Sequence, residues 1–145
     1  MKAFVWFLLL FPALSLFAAD DVSDAKTAFE TLVQYQTQDD IRALDLFSQH
    51  CLVVYKVIDS KPETNTVTIP TDAFRASQKT EIEKKQGNKD EYRNVKYTSD
   101  GFSVTVTASL YSPDTGKEAP FLAKYGRDSD GKMKIEEIRM TVFKK

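Results

Sequence analysis

Few residues in this chain could support acid–base or nucleophilic chemistry. His50 is the only histidine and Cys51 the only cysteine. An imidazole titrates near neutral pH and could act as a general base. Adjacent residues on a strand point to opposite faces, however, so the two side chains would form a poor catalytic dyad or metal pair. We expect His50 to end a helix as a polar residue and Cys51 to be a buried apolar residue. The alternative for Cys51 is a free thiol that crosslinks two chains.

A second group of residues could bind a ligand rather than transform it. Tyrosines recur along the chain and could line a pocket with hydroxyl groups, although we expect most of them to be core or rim residues. Lys56 and Arg139 would bind an anion if they faced the interior, but a solvated sheet face is the more common position. The candidate ligand-binding residues are Tyr35, Tyr55, Lys56, Phe74, Tyr125 and Arg139.

The sequence contains no motif for a metal, a phosphate group or a cofactor. The segment DSDGK at residues 128–132 resembles a calcium loop, but it lacks the ligand count and the terminal glutamate and is more typical of a hairpin turn. No phosphate loop, nucleophile elbow or zinc spacing is present. The net charge is -1 and no stretch is strongly basic, which argues against nucleic acid as a partner. We therefore predict no catalytic residues, no metal and no cofactor.

The N-terminal segment has the layout of a secretory signal peptide. Lys2 precedes an apolar run, and small residues stand before Asp20. The run from Ala3 to Phe11 is shorter than the ~20 residues that cross a bilayer. We predict a signal peptide at residues 1–19 and one domain at residues 20–145, exported to the periplasm or secreted, without membrane attachment after cleavage. An uncleaved membrane anchor is the alternative. With one cysteine there is no internal disulfide, so packing must supply the stability.

Three helices are predicted, at residues 25–38, 39–50 and 72–86. Apolar residues of the first recur at spacings of three and four, which predicts one buried stripe, with Gln34, Gln36 and Gln38 on the far side. Asp39 or Asp40 can cap the second helix, whose buried face would consist of Ile41, Leu44 and Phe47. Thr71 can cap the third helix, and Gly87 can end it in the left-handed conformation.

Strands are predicted at residues 51–58, 66–69, 92–98, 102–111, 119–127 and 132–143. The fourth alternates clearly, with Phe102, Val104 and Val106 on the core face. The apolar parity of the last strand changes near Glu136 and Glu137, which predicts a β-bulge. The overall prediction is an α+β domain with three N-terminal helices packed on a curved, mainly antiparallel sheet. We also predict a homodimer through the sheet, because a row of small polar residues forms a flat face: Ser103, Thr105, Thr107 and Ser109.

This order of elements resembles the nuclear transport factor 2-like superfamily, which includes SnoaL-like and ketosteroid-isomerase-like proteins. The residues that carry the resemblance are AFETLVQYQTQDDIRALDLF, CLVVYKVID and KYGRDSDGKMKIEEIRM. The resemblance covers nearly all of the chain after the predicted signal peptide. It implies a cone-shaped domain with a pocket at one end. Because this fold hosts enzymes, binders and assembly modules, the resemblance does not fix the function.

The isomerase branch of the superfamily needs a carboxylate base and acidic donors for the enolate. The resemblance places its phenol donor, base and protonated acid at Leu32, Lys56 and Ala123, or at Tyr55 instead of Lys56 if the register differs by one. None of these residues is a carboxylate, so we expect no steroid isomerisation. The resemblance then implies a non-enzymatic protein that binds a small apolar or amphipathic ligand or a protein partner. The alternative is a SnoaL-like enzyme of the isomerase, cyclase or dehydratase type that uses Tyr35, His50, Tyr55 or Lys56.

Overall fold

The computed structural model describes residues 12–58 and 64–143, with side chains for residues 20–58 and 65–143. Helix α1 spans Pro12–Thr37, a 3₁₀ helix spans Ile41–Leu46 and helix α2 spans Thr71–Glu83. The strands are β1 (Phe47–Ile58), β2 (Thr64–Ile69), β3 (Glu91–Ser99), β4 (Val104–Ser112), β5 (Lys117–Arg127) and β6 (Met133–Phe143). No helix in the described ranges is long and apolar enough to cross a membrane.

The strands form one six-stranded sheet in the order β2-β1-β6-β5-β4-β3. Strands β1 and β6 pair in parallel, and every other neighbouring pair is antiparallel. The predicted α+β class with a mainly antiparallel sheet is therefore confirmed. The predicted bulge is also confirmed, because Lys124 pairs with Glu137 while the next residue, Tyr125, pairs with Ile135. The extra residue, Glu136, lets apolar side chains on both sides of it face the core.

The second predicted helix is wrong over most of its length. Only Ile41–Leu46 is helical, in the 3₁₀ form, and β1 begins at Phe47, where it pairs with Ile135. Asp40 does cap this turn, accepting a hydrogen bond from the Arg42 amide at 2.9 Å. A 3₁₀ helix repeats every three residues, so Ala43 and Leu46 face the core while Ile41 is 48% exposed. Leu44, predicted to be on the buried face, is half-buried.

Four further expectations about single residues differ from the structure. His50 lies within β1 and is exposed, so it does not end a helix. Phe102 was predicted on the core face but lies in the turn before β4 and is 92% exposed. Helix α2 ends at Glu83, and Lys85 adopts a left-handed φ of 51° before Gly87 does so at 65°. Thr71 does not cap α2, because its hydroxyl donates to the Cys51 carbonyl at 2.9 Å.

The core lies between α1 and the sheet. Phe29, Leu32, Phe47, Val104 and Val106 are buried together there, as predicted. Cys51 is 1% exposed, and burial raises the pKa of its thiol to about 11. At neutral pH this thiol is therefore protonated and inaccessible, which agrees with a buried apolar role rather than a crosslink.

Candidate functional site

A cleft of about 310 Å³ lies between the C-terminal end of α1, one face of α2 and the sheet. Its apolar lining comes from both helices, from β1 and from the strands β3 to β6. Its polar lining comes mainly from the end of α1, from α2 and from the loop between α2 and β3. The apolar and aromatic members are Leu32, Phe47, Phe74, Ile82, Tyr92, Leu110, Phe121, Ile138 and Met140. The polar members are Gln36, Asp39, Gln78, Glu81, Gln86, Asn88 and Asp90.

Hydrogen bonds fix the loop between α2 and β3 against the end of α1. The Asp39 carboxylate accepts from the Gly87 amide at 2.8 Å, and the Asn88 amide donates to the Gln36 carbonyl at 3.2 Å. Glycine is favoured at position 87, because φ is left-handed there and an added Cβ would lie 3.2 Å from the Thr37 carbonyl oxygen. The polar side of the cleft is thus held by backbone as well as by side chains.

One arginine fixes helix α2 to the residues at the start of β1. The Arg75 guanidinium donates to the carbonyl oxygens of Leu44, Phe47 and Ser48 at 3.1, 2.8 and 3.2 Å. Next to it, the rings of Phe47 and Phe74 meet edge to face with centroids 5.2 Å apart. These contacts place α2 over the start of β1 and keep the cleft open between them.

Tyr92 connects the polar and apolar parts of the cleft. Its hydroxyl donates to Gln36 Oε1 at 3.3 Å, and its ring packs against Phe29 and Phe121 with centroids 5.1 and 5.0 Å away. Burial, with a smaller contribution from the nearby Asp90 carboxylate, raises the pKa of this phenol far above its usual range. Tyr92 is therefore a neutral hydrogen-bond donor at any physiological pH.

Of the six residues that the sequence suggested for ligand binding, the structure brings only Phe74 to the cleft. Tyr35 is half-buried beside the Arg42 guanidinium, 4.6 Å from its ring centroid. On β1, Tyr55 faces the core and burial raises its pKa, whereas Lys56 is exposed on the opposite face. Arg139 is exposed and pairs with Glu137. Lys56 and Arg139 thus lie on the solvated face of the sheet rather than in the cleft.

Several cleft residues were not identified from the sequence, notably Gln36, Asp39, Asp90 and Tyr92. Gln36 lies four residues after Leu32 and therefore shares its helix face, so the prediction that it lies on the far side is wrong. For Asp39 the sequence predicts only a helix cap. Among the three positions of the isomerase chemistry, Leu32 lines the cleft and Ala123 is buried in the core.

Tyr125, the last of the suggested residues, is 0% exposed and belongs to the core. Its hydroxyl is buried without a hydrogen-bond partner among the described residues, and burial raises its pKa strongly. An unsatisfied buried hydroxyl costs about 1–3 kcal/mol.

We therefore expect Tyr125→Phe to leave the free energy of unfolding unchanged or to raise it by up to about 1 kcal/mol, measured by urea denaturation. Tyr92→Phe, which loses a bond to Gln36, is the matched comparison and should be the less stable variant. If Tyr125→Phe is less stable than the unaltered chain by more than about 1 kcal/mol, the hydroxyl forms a hydrogen bond in solution.

The described residues contain no group of three or more histidine, cysteine, aspartate or glutamate side chains that could hold a metal ion. The three carboxylates of the cleft therefore do not form such a group.

No family model matches the chain, and no curated protein is similar to it. Solved structures are similar in fold. A DUF3225-family protein of unknown function from Pectobacterium atrosepticum is 16% identical, with a TM-score of 0.64 over 85% of this chain and 91% of that one. An NTF2-like protein of unknown function from Pseudomonas putida is 12% identical, with a TM-score of 0.62 over 83% and 85% of the two chains. A candidate ketosteroid isomerase from Parabacteroides distasonis is 14% identical, with a TM-score of 0.53 over 81% and 83%. The element order, the mainly antiparallel sheet and these similarities together show that the chain has the nuclear transport factor 2-like fold.

Proposed function

We propose that the protein binds a small amphipathic molecule in the cleft between α1, α2 and the sheet. The observation that carries this proposal is the division of the cleft into an apolar, aromatic part and a hydrogen-bonding part. Ligand sites typically have this composition and a volume of about 300–1,000 Å³. The 310 Å³ cleft is at the lower end of that range. At about 30 Å³ per water-sized group it holds roughly ten non-hydrogen atoms, so the expected ligand is small.

Filling the cleft should abolish binding. Leu110 lines the cleft and is half-buried, so the larger indole ring of Leu110→Trp would occupy space that a ligand needs. We expect this variant to reduce the affinity for naphthylmethanol, an uncharged bicyclic probe, by at least about tenfold, which corresponds to about 1.4 kcal/mol. Isothermal titration calorimetry or protein NMR would measure the change.

The control for this experiment is Leu52→Trp. Leu52 is 42% exposed and belongs to the face of β1 that points away from the core, so the same substitution should leave binding unchanged. If both variants bind the probe as the unaltered chain does, the cleft is not the binding site.

An enzymatic role is the second candidate, and one observation supports it. The carboxylates of Asp39 and Asp90 line the same cleft as the neutral phenol of Tyr92. A base and a neutral donor are the groups that proton transfer beside a carbonyl requires. His50 and Lys56 are exposed, so these two residues do not contribute to that chemistry. Turnover that survives purification and is lost in Asp90→Asn would favour this candidate over pure binding.

We also propose that two copies of the chain pair through the outer face of the sheet. Thr105, Thr107 and Ser109 alternate along β4 and form a row of short polar side chains, whereas Ser103 lies in the turn before the strand. The residues of β5 that pair with this row are Lys124, Leu122 and Pro120. Sedimentation at micromolar concentration should show a dimer. Thr105→Lys combined with Thr107→Lys should convert it to a monomer, because like charges would oppose each other across the interface. A monomer at all concentrations of the unaltered chain contradicts the proposal.

Export of the protein remains part of the proposal. It rests on the signal-peptide layout of residues 1–19, of which residues 1–11 lie outside the described part of the chain and residues 12–19 belong to α1. N-terminal sequencing of the protein from its own source should find a chain that begins within a few residues of Asp20.

A further inference from the structure

We propose that the ligand of this cleft carries a positive charge, so that the site prefers an amine to an acid or an alcohol of the same shape. This inference rests on the proposed binding function and specifies its ligand class. It replaces the anion suggested by Lys56 and Arg139, which lie on the solvated sheet face.

The charged residues that line the cleft are all acidic. They are Asp39, Glu81 and Asp90, and no lysine, arginine or histidine is among the lining residues that the structure describes. The charge of Glu81 is already met by Lys84, whose Nζ lies 2.6 Å from Glu81 Oε1. Asp39 and Asp90 make no ion pair within 4 Å in the described ranges. Two carboxylates are therefore available to a bound cation.

Arg75 on α2 and Arg42 after Asp40 are occupied by other partners. The Arg75 guanidinium donates to backbone carbonyl oxygens at the start of β1. Arg42 forms an ion pair with Asp40, with 2.5 Å between Nη2 and Oδ2. Neither arginine lines the cleft, so neither offsets the potential of Asp39 and Asp90 from inside it.

The hydrogen bonds of the two carboxylates leave acceptor capacity. Asp39 uses Oδ2 for the Gly87 amide, while its other oxygen makes no hydrogen bond to the described residues. The Asp90 carboxylate makes no hydrogen bond to the described residues. Only the backbone amide of Asp90 is bonded locally, donating to Asn88 Oδ1 at 3.0 Å. An ionised carboxylate accepts about four hydrogen bonds and an ammonium donates three, so the two groups are complementary.

The aromatic part of the lining is compatible with the same charge. Phe47, Phe74, Tyr92 and Phe121 line the cleft, and an aromatic ring attracts a cation that binds over its face. An organic cation fits better than a metal ion. The acidic side chains are too dispersed for metal coordination in the described part of the chain, and hard metal ions need several oxygen ligands at one point.

The test compares three probes that share one naphthalene ring and differ only in charge. They are naphthylmethylammonium, naphthylmethanol and naphthoate, titrated at pH 7 into protein purified after expression of the full chain. We expect the cation to bind at least about fivefold more tightly than the alcohol, and the anion to bind most weakly. The preference for the cation should decrease as salt is added, because partly exposed charges are screened.

Variants that each remove one negative charge test whether the two carboxylates cause the preference for the cation. Asp39→Asn keeps the acceptor for the Gly87 amide and tolerates the left-handed φ of 52° at that position. Asp39→Asn and Asp90→Asn should each reduce the ratio of the affinity for the cation to the affinity for the alcohol. Asp130→Asn, in the exposed turn between β5 and β6, is the matched control and should leave this ratio unchanged.

The outcomes separate this inference from the binding proposal. If Leu110→Trp weakens binding of the alcohol, the cleft is a ligand site. If the cation then binds no more tightly than the alcohol, the charge inference is wrong. The same conclusion follows if the preference persists in both asparagine variants. If none of the three probes binds, the binding proposal fails and the inference fails with it.

Discussion

Phe29→Ala is expected to lower the free energy of unfolding by about 3–5 kcal/mol, the range for truncating a buried phenylalanine. Phe29 is 3% exposed on α1 and contacts three aromatic rings of the sheet. Its ring centroid lies 5.1 Å from that of Tyr92, 6.4 Å from that of Tyr97 and 6.2 Å from that of Phe121. Truncation leaves a cavity at the point where α1 meets the sheet, and the surrounding rings can fill it only in part.

Urea denaturation with a matched phenylalanine provides the measurement. Phe102 is the same residue type but is 92% exposed in the turn before β4, so Phe102→Ala should change the stability by less than about 0.5 kcal/mol. A loss below 1 kcal/mol for Phe29→Ala would show that α1 does not pack on the sheet through this ring. Because Tyr92 and Phe121 also line the cleft, the variant should bind naphthylmethanol less tightly as well.

Arg75→Met is expected to cost about 2–3 kcal/mol of stability. The substitution keeps an apolar stem of similar length but removes a charged group that donates to the carbonyl oxygens of Leu44, Phe47 and Ser48. Hydrogen bonds to a charged group contribute about 1.5–3 kcal/mol each in favourable cases. We expect less than their sum, because Arg75 is partly exposed and the freed carbonyls can bond to water.

The matched control is Arg139→Met. Arg139 is exposed and its ion pair with Glu137 lies on the surface, so its loss should cost less than about 1 kcal/mol. Hydrogen exchange should show faster exchange of the α2 amides in Arg75→Met and no change there in Arg139→Met. Equal stability of the two variants would mean that Arg75 does not hold α2 in place.

Several expectations that depended on local periodicity were met, although the second helix and the position of Phe102 were not among them. The stripe on α1 predicted the burial of Phe29 and Leu32, since residues three and four apart share a helix face. The alternation of β4 predicted the burial of Val104 and Val106, and the break in parity on β6 predicted the bulge at Glu136. Each of these signals is contained in about ten consecutive residues, so no knowledge of distant partners was needed.

The secondary structure of residues 47–50 could not be predicted in this way. Their sequence continues a helical pattern, but Phe47 pairs with Ile135 at the start of a parallel ladder. That partner is far along the chain, and its hydrogen bonds decide between helix and strand. The sequence also does not decide which face of β1 points toward the core. Alternation separates Tyr55 from Lys56, but only the packing of the sheet on the helices places Tyr55 in the core and Lys56 in solvent.

The sequence by itself determined most of the element types, most of the core and the α+β class, because these follow from local period and composition. Only the tertiary structure determined which residues line the cleft. Gln36 and Tyr92 meet across 56 residues, and Asp39 reaches Gly87 across 48. These contacts form because the loop before β3 closes on the end of α1, and no local pattern encodes such a closure. The acidic character of the site follows from that closure, which places Asp39 and Asp90 in one cleft and leaves Lys56 and Arg139 on the opposite face of the sheet.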